Sequence, residues 1–314
     1  MNLQTKIALK KQSENLIDYN SNILLIGSCF SENIGDILAY FKFQNLQNPF
    51  GILFHPKAIE TLIQNAVEAK NYTEKDVFYH NEQWHCFSVH SKLSNPSKVE
   101  LLERLNSKVK LTKATIKNST HIIITLGTAW VYRNLQGNTI VANCHKVPQK
   151  EFKKELLSVE DISISLKNMV SLIKKINSKA TVIFTVSPVR HLKDGFVENT
   201  QSKAHLITAI HQIINNSSFY FPSYEIMMDE LRDYRFYAED MIHPNQTAVH
   251  YIWERFKEVW ISNTAFKIMD EVGSIQKSLK HKPFNPNSEA HQGFLKKIEA
   301  RKKSLKLQFP HMVF

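Results

Sequence analysis

The chain has 314 residues, 43% of them hydrophobic, and a formal net charge of +11 at pH 7. A chain of this composition can bury a large core, and no apolar run approaches the roughly 20 residues that a membrane-spanning helix needs, so we expect a soluble protein. The 3 cysteines are odd in number and form no CxxC pair, which argues against a disulfide framework and a structural zinc site.

The amino terminus, from Met1 to Lys6, has polar residues where a signal peptide would need an apolar core, and we therefore expect a cytoplasmic protein. The first strand is predicted over residues 22–27. It ends in a glycine, and a helical apolar pattern begins at Ser31. This part of the chain is predicted to form a strand, a tight turn and a helix.

The same strand signal returns at residues 121–126 and 181–186. Each of these strands follows an amphipathic stretch of helix length, at 98–117 and at 159–178. Alternating strands and helices predict a mainly parallel sheet covered on both faces, because parallel neighbours need crossover connections. The predicted fold class is α/β, as a three-layer α/β/α sandwich.

Two intervals resemble insertions rather than crossover units. Residues 72–92 are rich in aromatic side chains, and within residues 129–145 the sequence Gln136-Gly137-Asn138 supplies a hairpin turn. We expect both hairpin insertions to form the rim of the site. A last helix of the sandwich, at about residues 245–259, follows His243-Pro244.

The end of the chain differs from the rest. The helical pattern loosens after Asn263 and returns as an amphipathic stretch near 289–306. We therefore divide the chain into an α/β domain, 1–262, and a basic, partly helical extension, 263–314. The core is expected to fold without the basic tail, residues 275–314. Residues 275–314 contain nine Lys or Arg and two Glu, so much of the net charge is terminal. Such a charge run is typically a solvated helix face, and nucleic-acid binding is not expected.

Two short segments could supply chemistry. A cysteine at the start of a helix, as Cys29 is predicted to be, has its pKa lowered by the helix dipole, and a nucleophile is one interpretation. The other is a small buried hydrophobic side chain at the end of a strand. Asp240 lies three residues before His243, a spacing that lets the carboxylate orient the imidazole. Alternatively, the pair merely caps the following helix.

The two segments together resemble a known family. Residues 27–32 are similar to the Gly-Asp-Ser-Leu-Thr-Glu block of SGNH hydrolases, and residues 240–244 to their closing Asp-x-x-His-Pro block. The closer resemblance is to the GSCFA family, which is similar to SGNH proteins, and it covers roughly residues 20–260. It implies an SGNH or flavodoxin-like sandwich. Further GSCFA-like stretches are 48–51, 125–130, 185–190 and 220–225.

The resemblance implies roles for individual residues. Cys29 lies where SGNH enzymes have the nucleophilic serine, and Ser28 would be the nucleophile if the turn were shifted by one residue. Gly51 matches the block whose backbone N–H helps to hold the oxyanion. Asp240 and His243 match the acid and the base.

The chain departs from the SGNH pattern in the third block. Gly-x-Asn-Asp is replaced by the sequence Gly-Thr-Ala-Trp at residues 127–130, so the asparagine donor to the oxyanion is missing. The loss of one such donor typically costs about 2.7–4 kcal/mol in the transition state. The candidate substitutes are Asn48, Thr128 and Trp130. For His90 and Arg190 the alternatives are substrate binding and ordinary polar packing.

The predicted function is hydrolysis or transfer of an acyl ester by a Cys (or Ser)–His–Asp centre with a backbone oxyanion hole. The reaction involves no cofactor and no metal, and its substrate would be a small molecule or a glycan ester. The alternative is a catalytically inactive SGNH-like protein that binds a glycan or an acidic partner.

Overall fold

The computed structural model describes residues 4–314, so Met1, Asn2 and Leu3 of the polar amino terminus lie outside the described residues. The strands of the described part are β1 (Asn22–Gly27), β2 (Gln44–Gln47), β3 (Phe78–His80), β4 (Gln83–His85), β5 (His121–Leu126), β6 (Trp130–Asn134), β7 (Thr139–Val141), β8 (Phe152–Leu156), β9 (Thr181–Val186) and β10 (Ser218–Phe221). The helices are α1 (Cys29–Tyr40), α2 (Pro56–Val67), α3 (Lys98–Asn118), α4 (Val159–Ile176), α5 (Phe196–His211), the single turn α6 (Ser223–Glu225), α7 (Gln246–Trp260), α8 (Asn263–Leu279) and α9 (Glu289–Gln308).

Five strands form a parallel sheet in the order β10-β9-β5-β1-β2. The three strands predicted from apolar runs, β1, β5 and β9, lie side by side at its centre, where both faces are buried. The edge strands β2 and β10 were not predicted. They are four residues long and half-buried in part, so neither has the continuous apolar run of a central strand.

Alternate side chains of β1 show that the sheet is the middle of three layers. Leu24 and Ile26 belong to a core cluster with α2, α3, α4 and α5, which cover one face. Ile23 and Leu25 belong to a second cluster with α1, α7, α8 and α9 on the other face. Because successive side chains of a strand point to opposite faces, the two clusters lie on opposite sides of the sheet. The predicted three-layer α/β/α fold is confirmed.

The predicted helices α3, α4, α7 and α9 have observed ends within about two residues of those expected from the sequence. Each begins after a side-chain N-cap that accepts a backbone N–H, and these caps are Ser97, Ser158, Asn245 and Ser288. Within residues 4–314 no helix combines the length and the apolar character that a membrane span requires.

The two insertions form hairpins outside the main sheet. In the interval 129–145, β6 and β7 pair antiparallel around the predicted turn. The unpredicted strand β8, which follows this interval, pairs antiparallel with the other edge of β6. In the interval 72–92, β3 and β4 pair antiparallel. Of the two hairpins, only β6–β7 contributes side chains to the pocket described below, and these are Trp130 and Tyr132.

The carboxyl-terminal extension packs on the sandwich. Where the sequence pattern loosens, Ser262 caps the 17-residue helix α8, which the sequence did not indicate. The apolar side chains of the last segment, Ile298, Leu305, Phe309 and Met312, are buried in the second core cluster. This packing indicates that the stability of the core depends on the extension. The boundary at residue 262 stays a prediction.

Truncation of one buried side chain of α9 tests this packing. Leu305 is 7% exposed, whereas Leu307, two residues later on the same helix, is 77% exposed. We expect Leu305→Ala to lower the free energy of unfolding by roughly 2–3 kcal/mol because it leaves a cavity. The matched control Leu307→Ala should change it by less than about 0.5 kcal/mol. Denaturant unfolding gives both values, and equal small effects would mean that α9 does not pack in solution.

Candidate active site

A pocket of about 460 Å³ opens at the carboxyl end of the parallel sheet. Its walls come from the turns after β1, β5 and β9, from β6 and from the loop before α7. Six of the predicted residues line it: Ser28, Cys29, Thr128, Trp130, Arg190 and His243. A larger groove of about 770 Å³ lies along β10, but none of the predicted residues lines it.

The turn after β1 requires glycine. Gly27 has a φ of +143°, and a Cβ built there would lie 2.2 Å from the carbonyl oxygen of Thr125 on β5. The next residue, Ser28, donates its N–H to that same oxygen at 3.1 Å. The chain therefore passes directly against β5 before α1 begins, which places the first turn of α1 at the pocket.

The two candidate nucleophiles have different surroundings. Ser28 is 2% exposed, and its Oγ accepts the Phe30 N–H at 3.3 Å as the N-cap of α1. Cys29, the first residue of the helix, is only half-buried. Because the Ser28 hydroxyl already has a structural partner, its position favours capping, and Cys29 is the more accessible of the two.

The Cys29 thiol is less acidic than its place at a helix start suggests. Burial raises the pKa of the Cys29 thiol, and the negative charge of Glu32 raises it further. The N–H groups of Cys29 and Phe30, and the positive charge of Lys203, act in the opposite direction but do not prevail. The prediction of a lowered pKa from the helix dipole alone was therefore wrong, because desolvation outweighs it. At a given pH a smaller fraction of this thiol is therefore ionised than of an unperturbed cysteine.

Asp240 orients His243 as the spacing predicts. The Oδ2 atom of Asp240 lies 2.6 Å from Nδ1 of His243, and its Oδ1 accepts the N–H groups of His243 at 3.0 Å and Ile242 at 2.9 Å. These bonds, the one from the His243 N–H first, lower the pKa of Asp240 to about 2. Helix capping is the task of Asn245, which accepts the Ala248 N–H. The Asp–His pair is thus not needed as that cap, and within residues 4–314 Nε2 of the His243 ring has no hydrogen-bond partner.

Besides Asp240, three further predicted residues lie outside the pocket wall. The N–H of Gly51 donates to the Asn48 carbonyl at 2.8 Å and so closes a turn rather than facing a ligand. The Asn48 side chain accepts the Gly27 N–H at 2.9 Å. His90 packs against Gly51, where its Cβ leaves no room for a side chain, and its Nδ1 accepts the Lys92 N–H. Of these residues, Asn48 binds directly to the turn after β1, and Gly51 and His90 pack beside it.

The side chains proposed as substitute oxyanion donors already have partners. Trp130 donates its Nε1–H to the Glu198 carbonyl at 3.2 Å. The Thr128 hydroxyl lies 3.0 Å from the Ser202 hydroxyl and accepts the Trp130 N–H. Arg190 donates Nε–H to the Tyr237 hydroxyl at 3.1 Å and stacks over that ring.

Two residues of this region were missed by the sequence analysis. Ile52 lines the pocket, and within residues 4–314 neither its N–H nor that of Cys29 donates to a protein oxygen. Lys203 is fully buried behind the pocket on α5. A lysine in an amphipathic helix is ordinarily solvent-exposed, so the sequence offered no signal for it.

Family models match most of the chain. The model of the GSCFA family matches residues 22–256, and that of the GSCFA domain protein, C-terminal domain, matches residues 272–314. The chain belongs to the GSCFA family. A search of curated protein sequences finds no match.

A solved structure similar to this GSCFA protein is an acetyl xylan esterase (Est2A) from the rumen bacterium Butyrivibrio proteoclasticus. The two chains are 11% identical, with a TM-score of 0.34, and the match covers 78% of the GSCFA chain. It spans 66% of the esterase chain, just under two thirds of its length. At this TM-score the likeness supports no conclusion about activity.

The close approach at Gly27 predicts a large effect of one added methyl group. We expect Gly27→Ala to lower the free energy of unfolding by at least about 2 kcal/mol, because the new Cβ would overlap the Thr125 carbonyl. In contrast, Gly293 of α9 has no atom within 4 Å of a Cβ. Gly293→Ala should raise the stability by about 0.5–1 kcal/mol. Chemical denaturation measures both, and a neutral Gly27→Ala would contradict the turn geometry.

The accessibility of the three thiols predicts their order of alkylation. Cys29 should react with iodoacetamide faster than Cys86, which is 3% exposed, and faster than Cys144, the pKa of which burial raises to about 11. His243→Ala should slow the reaction at Cys29 only, because we predict that the ring, which lines the same pocket, acts as its base. Timed mass spectrometry follows each site. Equal, slow labelling of all three cysteines would count against a reactive Cys29.

Proposed function

We propose that this GSCFA protein hydrolyses or transfers acyl esters, with Cys29 as the nucleophile, His243 as the base and Asp240 as the residue that orients it. One observation carries the proposal: the carboxylate of Asp240 holds Nδ1 of His243 at 2.6 Å while the same imidazole shares a pocket with Cys29. A thiol with a raised pKa needs such a base, and the base needs its tautomer set by a partner.

In the proposed reaction His243 Nε2 takes the thiol proton as Cys29 Sγ forms a bond to the ester carbonyl carbon. The tetrahedral intermediate then expels the alkoxide, which receives that proton from His243 and leaves as an alcohol. Water, activated by the same imidazole, attacks the resulting thioester. This attack releases a carboxylic acid and returns the proton to the thiolate. An alcohol or amine in place of water makes the protein an acyltransferase.

The oxyanion is proposed to bind backbone rather than side-chain donors. The N–H of Cys29 at the amino terminus of α1 is free of an oxygen acceptor among residues 4–314, as is the N–H of Ile52 on the pocket wall. Backbone N–H groups at a helix start suit a developing negative charge. We therefore assign the second donor to Ile52 instead of Gly51, the N–H of which closes a turn.

The pocket wall is compatible with an acyl group on a sugar or another small alcohol. Ile52, Phe54 and Val189 offer apolar surface for the acyl chain. Trp130 and Tyr132 add aromatic surface of the kind against which sugar rings pack.

A second candidate is a binding protein that has the fold but no activity. It is favoured by Trp130, the Nε1–H of which already donates to the Glu198 carbonyl, and by Thr128, the hydroxyl of which lies 3.0 Å from that of Ser202. It is also favoured by the raised pKa of the Cys29 thiol. The ligand of such a protein would be a glycan or an acidic partner that contacts Arg190 and the aromatic wall.

Hydrolysis of p-nitrophenyl acetate separates these possibilities. Cys29→Ala and His243→Ala should each lower kcat/KM by roughly 10³-fold, because members of one catalytic unit fail together. The matched control Cys144→Ala should retain the activity. Ser28→Ala should cost about 1 kcal/mol of stability as a lost N-cap but little activity. Activity that survives Cys29→Ala and is lost in Ser28→Ala would assign the nucleophile to Ser28, and no activity in the unaltered protein would favour the binding role.

A further inference from the structure

Lys203 is a buried cation without a carboxylate partner among the described residues. The side chain extends from α5 and is 1% exposed, and its Nζ donates to the carbonyl oxygens of Gly127 at 2.7 Å and Ser187 at 2.8 Å. These two carbonyls follow the neighbouring strands β5 and β9. The ammonium therefore ties together the two strand ends that form the floor of the pocket.

Burial of an ammonium group is costly unless hydrogen bonds or charges compensate for the lost water. Two carbonyls use two of its three N–H donors, and the ring of Tyr224 lies 5.4 Å from Nζ. No ion pair within residues 4–314 includes Lys203. A lysine of this kind is more typical of a functional site than of a core.

The charges of Lys203 and Cys29 affect one another. The sheet order places β5 between β9 and β1, so the ammonium at the ends of β5 and β9 lies one strand away from the turn that carries Cys29. The positive charge of Lys203 lowers the pKa of the thiol, and a thiolate at Cys29 raises the pKa of Lys203. The two groups make no direct hydrogen bond, and their coupling acts through the protein interior.

Two carboxylates act on this pair, and two histidines line the pocket beside it. Glu32 opposes Lys203 at Cys29, and Glu225 favours the charged form of Lys203. His191 is neutral at pH 7, because burial and then the charge of Lys203 lower its pKa to about 3. His243 lines the same pocket as Cys29. Burial lowers the pKa of Lys203 itself to about 7.

We propose that Lys203 is a positioning residue of the Cys29 centre: its ammonium joins the ends of β5 and β9 and provides the positive charge that stabilises a thiolate at Cys29. The catalytic meaning of this role rests on the proposed acyl transfer. The charge coupling does not, because it concerns the ionisation of the thiol alone. The proton that leaves Cys29 goes to His243 or to solvent, and below about pH 7 Lys203 keeps its own.

The coupling predicts the shape of a pH profile. Below about pH 7 Lys203 is protonated, and the thiolate fraction of Cys29 should rise tenfold for each pH unit. Above that pH a further rise also removes the ammonium, so the fraction of molecules with a thiolate beside an ammonium becomes constant. The profile should therefore have a shoulder before the thiol ionises beside a neutral amine.

The experiment follows the alkylation rate of Cys29 by iodoacetamide from pH 5.5 to pH 10. The His243→Ala protein is measured beside the unaltered chain. A shoulder that persists in this variant cannot come from titration of the imidazole. Lys203→Gln, which keeps N–H donors for the two carbonyls, should remove the shoulder. It should also lower the rate below pH 7 by at least about threefold, because an opposite charge near the thiol is lost.

Three controls test whether the change in the profile comes from the charge of Lys203. Lys193 lines the pocket but is exposed, and Lys193→Gln should leave the profile unchanged because solvent screens its charge. The rate at Cys144 in each variant serves as the internal standard. Lys203→Arg, which stays charged at all these pH values, should abolish the shoulder without lowering the rate below pH 7.

A profile without a shoulder in the His243→Ala protein, as for the ionisation of one group, would overturn the proposal. This test does not depend on whether the Lys203 variants fold. An unchanged profile in a folded Lys203→Gln protein would overturn it as well. A shoulder that depends on Lys203 in a protein without esterase activity would instead refute acyl transfer and leave the coupling intact.

Discussion

The site depends on the contact between the turn after β1 and the end of β5. Gly27 donates its N–H to the Asn48 side chain, and Ser28 donates to the Thr125 carbonyl. Both bonds require a backbone approach that only glycine permits at position 27. From that approach follow the direction of α1, the place of Cys29 on the pocket wall and the packing of the Asn48–Gly51 turn behind it. Asn48, a candidate oxyanion donor, and Gly51, which matches a motif position with a catalytic role in SGNH enzymes, thus have a structural role beside the turn after β1 in this chain.

The pocket combines two electrostatic environments. The Asp240 and His243 side chains are 45% and 48% exposed, so water screens their charges and short, directed hydrogen bonds control the imidazole. Lys203 is shielded from water, where a charge acts over a longer distance and at a higher cost. Cys29 is half-buried between these extremes. In the proposed centre, its ionisation therefore depends both on a solvent-facing base and on an interior charge.

The two faces of the sheet contribute different parts of the site. Cys29 begins α1, which belongs to the core cluster that α7, α8 and α9 share. Lys203 extends from α5, which belongs to the cluster on the opposite face. The parallel strands bring both sets of elements to one end of the sheet, because every strand turns toward its helix at the same edge. A weakened core on either face would thus disturb the site, which makes the buried side chains of α9 relevant to the pocket.

The sequence by itself determined the central strands, four of the longer helices, the β6–β7 hairpin and the pairing of Asp240 with His243, since each depends on local periodicity, turn residues or a spacing of three. It also indicated the Cys29 turn and the family. Only the tertiary structure decided the edge strands, the burial of α9, the engagement of the Gly51 N–H and the raised pKa of the Cys29 thiol. The position of Lys203 belongs to the same group. These properties depend on which distant groups shield one another from water. Residues 29, 127, 187 and 203 reach the same end of the sheet only after the strands have paired.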